Sequence, residues 1–187
     1  MEIHALDAGR LSGAVDLFES NPTMRGCWCQ YMRLKSSEVS AGWGDGNRRR
    51  FAEQARCEDP PSGLLAYDDG GTTVGWCAVG PRSRFARLLR SPLTKTWDRA
   101  EDDTVWLLPC FFVRSGHRRK GVTHRLLLAA IEHSRSNGAV ALEAMPLAGA
   151  GPHKSDRYYG TEPLFEACGF TVQHRPSAGR VLMRLPL

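Results

Sequence analysis

A short basic segment with one glycine, Arg118-Arg119-Lys120-Gly121, has the residue types of an anion-binding loop. An apolar run, residues 105–113, precedes it, and residues 122–137 follow it with apolar side chains at helical spacing. The first turn of a helix has backbone N–H groups without partners and the positive end of the helix dipole, and together these attract a phosphate. Glycine lets the backbone approach closely. The segment therefore predicts either a phosphate site or a solvated basic connection.

The elements around this segment read as strand, helix and strand. Residues 105–113 are aromatic and aliphatic but too few to cross a membrane, which favours a buried strand. Pro109 cannot donate to a sheet ladder, so it indicates a bulge or the point where two neighbouring strands separate. Asn137-Gly138 ends the helix, and an apolar strand at residues 139–145 follows. Elements of this size favour a right-handed crossover between parallel strands.

Residues 118–123 resemble the Q/R-x-x-G-x-G/A pyrophosphate loop of the GNAT superfamily of acyl-CoA N-acyltransferases. Thr123 departs from that pattern, because the family prefers Gly or Ala there. Residues 164–170, LFEACGF, are similar to the family's late helix that ends in Gly-Phe. The GxxxxGK[ST] and GxGxxG patterns are absent. The resemblance covers roughly residue 63 to the C-terminus, and we expect residues 1–187 to form a single domain of this kind.

The resemblance implies an α/β (α+β) fold with a mixed, mostly antiparallel sheet of six to seven strands and helices on both faces. A central parallel pair splays apart in this fold, and the pantetheine arm of coenzyme A lies between the two strands. Acetyl-CoA is the implied co-substrate, with no metal. The expected order is β-α-α-β-β-β-α-β-α-β-β. The cofactor-binding residues implied by position are Phe111, Phe112, Val113, Arg118, Arg119, Lys120, Gly121, Val122 and Thr123.

Elements outside this centre are predicted from periodicity and turn residues. Residues 82–97 are expected to form a short helix and loop that presents its arginines to solvent or ligand. The other predictions are strands at 2–6, 27–32, 64–67, 72–79, 170–175 and 180–185, helices at 8–20 and 162–167, two short helices within 36–58 and a loop at 146–160.

The resemblance further implies direct transfer of an acetyl group to a primary amine. The amine must be neutral to attack, so a general base is expected. Glu143 lies on the second splayed strand and is the first choice, although a solvent-facing strand residue would look the same. Asp156 and His153 are weaker candidates in the following loop.

A general acid for the leaving thiolate is useful but dispensable, because a thiol has a pKa near ~8.5. Many relatives use a tyrosine on the late helix, and Phe165 stands at the matching position here. Tyr159 or Tyr158 could substitute for it or could simply line the pocket. Cys110 is a candidate nucleophile, with a buried structural thiol as its commoner role. A backbone N–H of the first splayed strand, that of Phe112, is expected to hold the oxyanion.

Composition limits the remaining possibilities. The 187 residues carry a net charge of +5 and a pI near 9.1, which suit a polyanionic partner. A nucleic-acid binder is disfavoured because no helix-turn-helix, RNP or zinc pattern occurs. A GNAT-like domain that binds acyl-CoA without catalysis is the other alternative, and Phe165 is its main support.

The cysteines and the N-terminus indicate the compartment. Six cysteines without an apolar leader favour reduced thiols in a cytoplasmic protein that has no metal and no membrane segment. The acceptor, a small-molecule or peptide amine, is not identified by the sequence. The oligomeric state is open, and a homodimer is one option.

Overall fold

The computed structural model describes residues 1–149 and 157–187, in which seven strands form one sheet of order β1-β2-β3-β4-β5-β7-β6. Only β4 and β5 are parallel, and every other neighbouring pair is antiparallel. The strands are β1 (Glu2–Ala5), β2 (Gly63–Tyr67), β3 (Thr73–Pro81), β4 (Val105–Val113), β5 (Ala141–Ala144), β6 (Thr171–Ser177) and β7 (Arg180–Pro186).

Helices cover both faces of this sheet, so the predicted fold class is confirmed. Alternate residues of a strand point to opposite faces, and each face has its own apolar cluster. One cluster includes α6 side chains, and the other includes side chains of α1, α2 and α4. The helices are α1 (Leu11–Glu19), α2 (Pro22–Cys27), α3 (Ser36–Ala41), α4 (Asp45–Cys57), α5 (Ala86–Leu89), α6 (Val122–Ser136) and α7 (Glu162–Glu166). Within residues 1–149 and 157–187, no helix combines the length and apolar character needed to span a bilayer.

The strand predicted at residues 27–32 is wrong. Asn21 caps a helix there with its side-chain oxygen, Pro22 occupies the first turn, and the helix ends at Cys27. Trp28 and Cys29 then turn the chain with φ angles of 49° and 56°. The apolar residues that suggested a strand serve instead as core contacts: the Trp28 ring lies 5.6 Å from that of Phe18.

Strands β4 and β5 separate after only three paired positions, the last of which joins Leu107 to Glu143. Pro109 follows two residues later, and the register between β3 and β4 shifts opposite it, between Ala78 and Gly80. The two alternatives predicted for this proline, a bulge and a point of separation, therefore both apply. On its other side β4 stays paired with β3 as far as Val113. The second half of β4 therefore has one edge without a strand partner in the described part of the chain.

Arg82 is fully buried beneath the segment that connects β3 to β4, so the expectation that this segment shows all its arginines to solvent or ligand is wrong. Its guanidinium donates to Glu143 Oε2 at 3.2 Å and to the Asp98 carbonyl at 2.7 Å. Asp102 Oδ1 lies 3.3 Å from its Nε, and the Trp97 ring lies 4.8 Å away. These contacts compensate the charge inside the fold.

The substitution Arg82→Met tests this network. It leaves the buried Glu143 carboxylate and the partly buried Asp102 carboxylate without their shared cation, so we expect a loss of about 3–5 kcal/mol in the free energy of unfolding. Chemical denaturation measures this free energy of unfolding for each variant. Arg90→Met, on the exposed side of the same segment, is the matched control and should change stability by at most about 0.5 kcal/mol. Equal stabilities of the two variants would contradict the role of Arg82.

Candidate active site

The N-terminus of α6 is open to an anion. Gly121 is its N-cap, adopts φ 77° and offers no side chain to cap the first N–H groups. The first helical bond runs from the Arg125 N–H to the Gly121 carbonyl, and no acidic side chain lies in the first turn. Arg118, Arg119 and Lys120 are exposed just before it. The free N–H groups, the helix dipole and the added positive charge suit a diphosphate.

The loop before α6 is held by contacts of its first residues. It lies beside the gap that opens between β4 and β5 beyond Leu107 and Glu143. Arg114 Nε donates to the Thr73 carbonyl at 3.0 Å, and its guanidinium pairs with Asp16 of α1. His117 Nε2 lies 3.4 Å from Asp68 Oδ2 in the hairpin between β2 and β3. The loop is therefore anchored at its first residues and exposed at its last ones.

The backbone of β4 that faces the gap can be identified from the register. The Arg114 N–H donates to the Val74 carbonyl at 2.9 Å, and Phe112 is in register with Trp76. Because hydrogen-bonded pairs alternate along an antiparallel ladder, Phe112 directs its N–H and C=O to β3. Phe111 and Val113 then direct theirs into the gap. The expected oxyanion contact from the Phe112 N–H does not fit this register.

One gap-facing carbonyl already has a partner. Arg118 Nε donates to the Val113 carbonyl at 3.2 Å, so this side chain folds towards the gap. Successive side chains of β4 point to opposite faces of the sheet. Phe111 packs 6.1 Å from Phe165, and Phe112 lies on the other face, 6.4 Å from Tyr158.

A cavity of about 270 Å³ opens where β4 leaves β5. Arg180 holds its guanidinium 3.5 Å above the ring of Tyr159, one of the residues that line this cavity. The structure therefore places Tyr159 beside the point of separation. The described residues that line the cavity are Thr23, Met24, Cys27, Cys29, Tyr31, Met32, Trp43, Pro109, Cys110, Tyr158 and Tyr159. Cys29, Tyr31 and Met32 were missed because their stretch reads as a strand, and the left-handed turn that aims them here has no signal in the sequence.

The thiols of this cavity differ in acidity. A hydrogen bond to Cys29 and burial raise the pKa of the Cys110 thiol well above its usual range. The same hydrogen bond, together with one from Trp76 Nε1 at 3.3 Å, lowers the pKa of Cys29. Burial raises the pKa of Cys27 to about 11. Cys110 is thus a protonated thiol at neutral pH, which favours its structural role over that of a nucleophile.

Glu143 lies apart from this cavity. Its side chain is 2% exposed, so the solvent-facing alternative is wrong. Oε2 accepts from Arg82 at 3.2 Å, and Oε1 accepts from Arg184 at 3.1 Å. Burial raises the pKa of this carboxyl, and the two arginines oppose the rise. Glu143 and Tyr159, both predicted to be catalytic, line different cavities.

Helix α7 has no tyrosine at the position where many relatives have their general acid. Phe165 is fully buried, with its ring 5.0 Å from that of Phe170. His153 and Asp156, the weaker base candidates, lie outside the described residues. Among the residues that are described, no three His, Cys, Asp or Glu side chains form a group that could hold a metal ion.

Comparison with solved structures shows the same fold throughout. The ribosomal-protein-alanine N-acetyltransferase of Brucella melitensis aligns over 100% of both chains, with 18% identity and a TM-score of 0.59. YncA of Salmonella typhimurium, a putative acetyltransferase solved with acetyl-CoA, aligns over 100% of this chain and 93% of its own, with 16% identity and a TM-score of 0.57. PaiA N-acetyltransferase of Thermoplasma acidophilum, solved with coenzyme A, aligns over 100% and 98%, with 12% identity and a TM-score of 0.56.

Sequence comparison adds the family. No curated protein sequence matches the chain. The model of the acetyltransferase (GNAT) family matches residues 28–152, which include β2 to β5 and the loop before α6. This match extends over more than half of the sequence, and it contains the basic loop and both strands of the parallel pair. The chain therefore belongs to the GNAT family of acetyltransferases.

Proposed function

We propose that this protein transfers an acetyl group from acetyl-CoA to the primary amine of a small molecule or peptide, in a ternary complex. One observation carries the proposal: an uncapped helix N-terminus, the unpaired edge of β4 and the cavity at Pro109 lie in sequence along one strand and its loop. These features would hold, in turn, the diphosphate, the pantetheine arm and the acceptor.

The cofactor would lie along β4 with its diphosphate on the first turn of α6. Unpaired backbone groups of a strand edge bind an extended ligand as they would another strand. Phe111 and Val113 supply those groups, and Arg118 would move from the Val113 carbonyl to the diphosphate. The residues proposed to bind the cofactor are Phe111, Phe112, Val113, Arg118, Arg119, Lys120, Gly121, Val122 and Thr123, of which Phe112 contributes through its side chain.

The reaction would take place beside Pro109 and Cys110. The acceptor nitrogen attacks the thioester carbonyl carbon, a C–N bond forms, the C–S bond breaks, and coenzyme A leaves as a thiolate. The nitrogen releases one proton to water or to a base, which leaves a neutral amide. Phe111 is the gap-facing residue nearest to the point of separation, so its N–H would hold the carbonyl oxygen as charge develops. Tyr159 would donate a proton to the thiolate.

Binding without catalysis is the second candidate, and the buried Phe165 supports it because the position has no hydroxyl. Release of free thiol from acetyl-CoA with a panel of amines separates the two functions. An acetyltransferase releases thiol with at least one amine. A domain that only binds the cofactor releases none, although calorimetry still detects acetyl-CoA.

Substitution of Gly121 tests the diphosphate site. Gly121→Glu puts a negative charge at the helix N-terminus, and we expect acetyl-CoA to bind roughly 30-fold more weakly, about 2 kcal/mol, in isothermal titration calorimetry. Gly71→Glu is a matched control: both glycines have φ near 77–78° with open space where a side chain would begin, so both variants carry the same strain. Equal affinities of the two variants would remove the proposed site.

Removal of one hydroxyl tests the proton donor. We expect Tyr159→Phe to lower kcat about tenfold, a modest effect because a thiol of pKa ~8.5 leaves readily. Steady-state kinetics across a pH series should also show the loss of the limb that reports the acid. Tyr158→Phe is the control, since its ring packs on Phe112 in the same cavity. A loss of the same size in both variants would mean that neither hydroxyl is the donor.

Glu143 stays a prediction as the general base, and its two arginine partners favour a positioning role. We expect Glu143→Gln to lower the free energy of unfolding by roughly 1–3 kcal/mol, because two charge-assisted hydrogen bonds become neutral ones. The pH dependence of kcat should keep its shape. If kcat instead fell at least a hundredfold with unchanged stability and a lost basic limb, Glu143 would be the base.

A further inference from the structure

The walls of the acceptor cavity are apolar. Met24, Met32 and Pro109 line it together with aromatic rings, and none of its described lining residues carries a formal charge. The Cys27 thiol, with its pKa raised to about 11, is neutral as well. Burial of a charged group without a partner is costly, whereas an aromatic or branched apolar group gains from such walls. A volume of about 270 Å³ suits the body of a small molecule.

A second cavity, of about 340 Å³, adjoins the first across Tyr31, Met32 and Tyr159, which line both. It differs from the first in charge. Arg87 and Arg180 line it, and no acidic side chain does so among the described residues. A ligand that occupied both cavities would thus meet an apolar wall at one end and the guanidinium of Arg87 at the other.

Arg87 is held in place by neutral groups. Its Nη1 donates to Ser36 Oγ at 2.7 Å and its Nη2 to the Tyr31 hydroxyl at 3.0 Å. The guanidinium also lies 3.9 Å from the centre of the Tyr31 ring.

Three other arginines of the same segment, Arg82, Arg84 and Arg99, have carboxylate partners, whereas Arg90 is exposed. Arg84 lies 3.5 Å from a Glu58 oxygen, and Arg99 lies 3.7 Å from one of Asp102. Arg87 has no carboxylate partner in the part of the chain that the structure describes. A preorganised guanidinium without a counter-charge is suited to bind a planar anion such as a carboxylate.

We infer that the acceptor is an amino carboxylate with an aromatic or branched apolar body. This inference rests on the proposed acetyl transfer. The body occupies the apolar cavity, the amine faces Pro109 and Cys110, and the carboxylate reaches Arg87 across the Tyr31 wall. Polyamines and other polycationic acceptors find no counter-charge among the described residues that line the two cavities, and they meet Arg87 instead.

Matched pairs of amines test this acceptor class. The pairs are phenylalanine with phenethylamine and 4-(aminomethyl)benzoate with benzylamine, which differ only in the carboxylate. We expect at least one acid to exceed its partner about tenfold or more in kcat/KM, the value of one charge-assisted hydrogen bond. Preference for both partners that lack the carboxylate, or for spermidine, would overturn the inference.

Two arginine variants test whether Arg87 causes the preference for a carboxylate. Arg87→Met should reduce the ratio of kcat/KM between acid and partner about tenfold, whereas Arg90→Met, an exposed neighbour on the same segment, should keep it. A ratio that Arg87→Met leaves unchanged would also overturn the inference.

Binding separates this inference from the proposed function. Titration of each acid into the complex with coenzyme A should show affinity that Arg87→Met removes, even if no acetyl group is transferred. Binding without thiol release would therefore support the acceptor site and contradict the acetyl transfer. Thiol release with no preference for a carboxylate would support the acetyl transfer and contradict the proposed acceptor class. Absence of both binding and turnover for the acids would overturn the inference.

Discussion

The unpaired edge of β4 is the constraint on which the rest of the site depends. Parallel pairing with β5 stops at Leu107 and Glu143, and beyond that point the N–H and C=O groups of Phe111 and Val113 face a gap. Buried backbone polar groups need partners, so such a gap favours an extended polar ligand. The same separation opens the apolar cavity at Pro109. One irregularity in the sheet thus produces the proposed cofactor cleft and the proposed acceptor cavity together.

The separation is maintained by charge as well as by proline. Glu143 is the last paired residue of β5, and its buried carboxylate accepts from Arg82 on one side and from Arg184 of β7 on the other. Arg82 also contacts Asp98 and Asp102 in the segment between β3 and β4. This network ties that segment to the sheet at the point where the strands part. The segment in turn carries the residues that border the acceptor side.

The two sides of the gap therefore differ in what they require. The proposed cofactor side offers backbone groups, a helix terminus and exposed basic residues, which many sequences can supply. The proposed acceptor side is lined by side chains of α2, of the turn after it and of the segment between β3 and β4. Structures with 12–18% identity share the fold of this chain. Their likeness extends to the scaffold, whereas an acceptor is selected by the particular side chains grafted on it.

The sheet class followed from the resemblance of the sequence to the GNAT family. The sequence by itself determined the central strand, loop, helix and strand and the basic loop before Gly121, and it indicated a bulge or a separation of strands at Pro109. These features depend on periodicity, glycine and proline, which act over a few residues. It did not determine the fate of residues 27–32, the burial of Arg82 or the partners of Glu143. Those outcomes depend on residues far apart in the chain, because a charge is buried or a turn is left-handed only when distant elements surround it. Glu143, for example, lies 61 positions from Arg82 and 41 from Arg184. For that reason the tertiary structure alone decided which side chains line the proposed acceptor cavity.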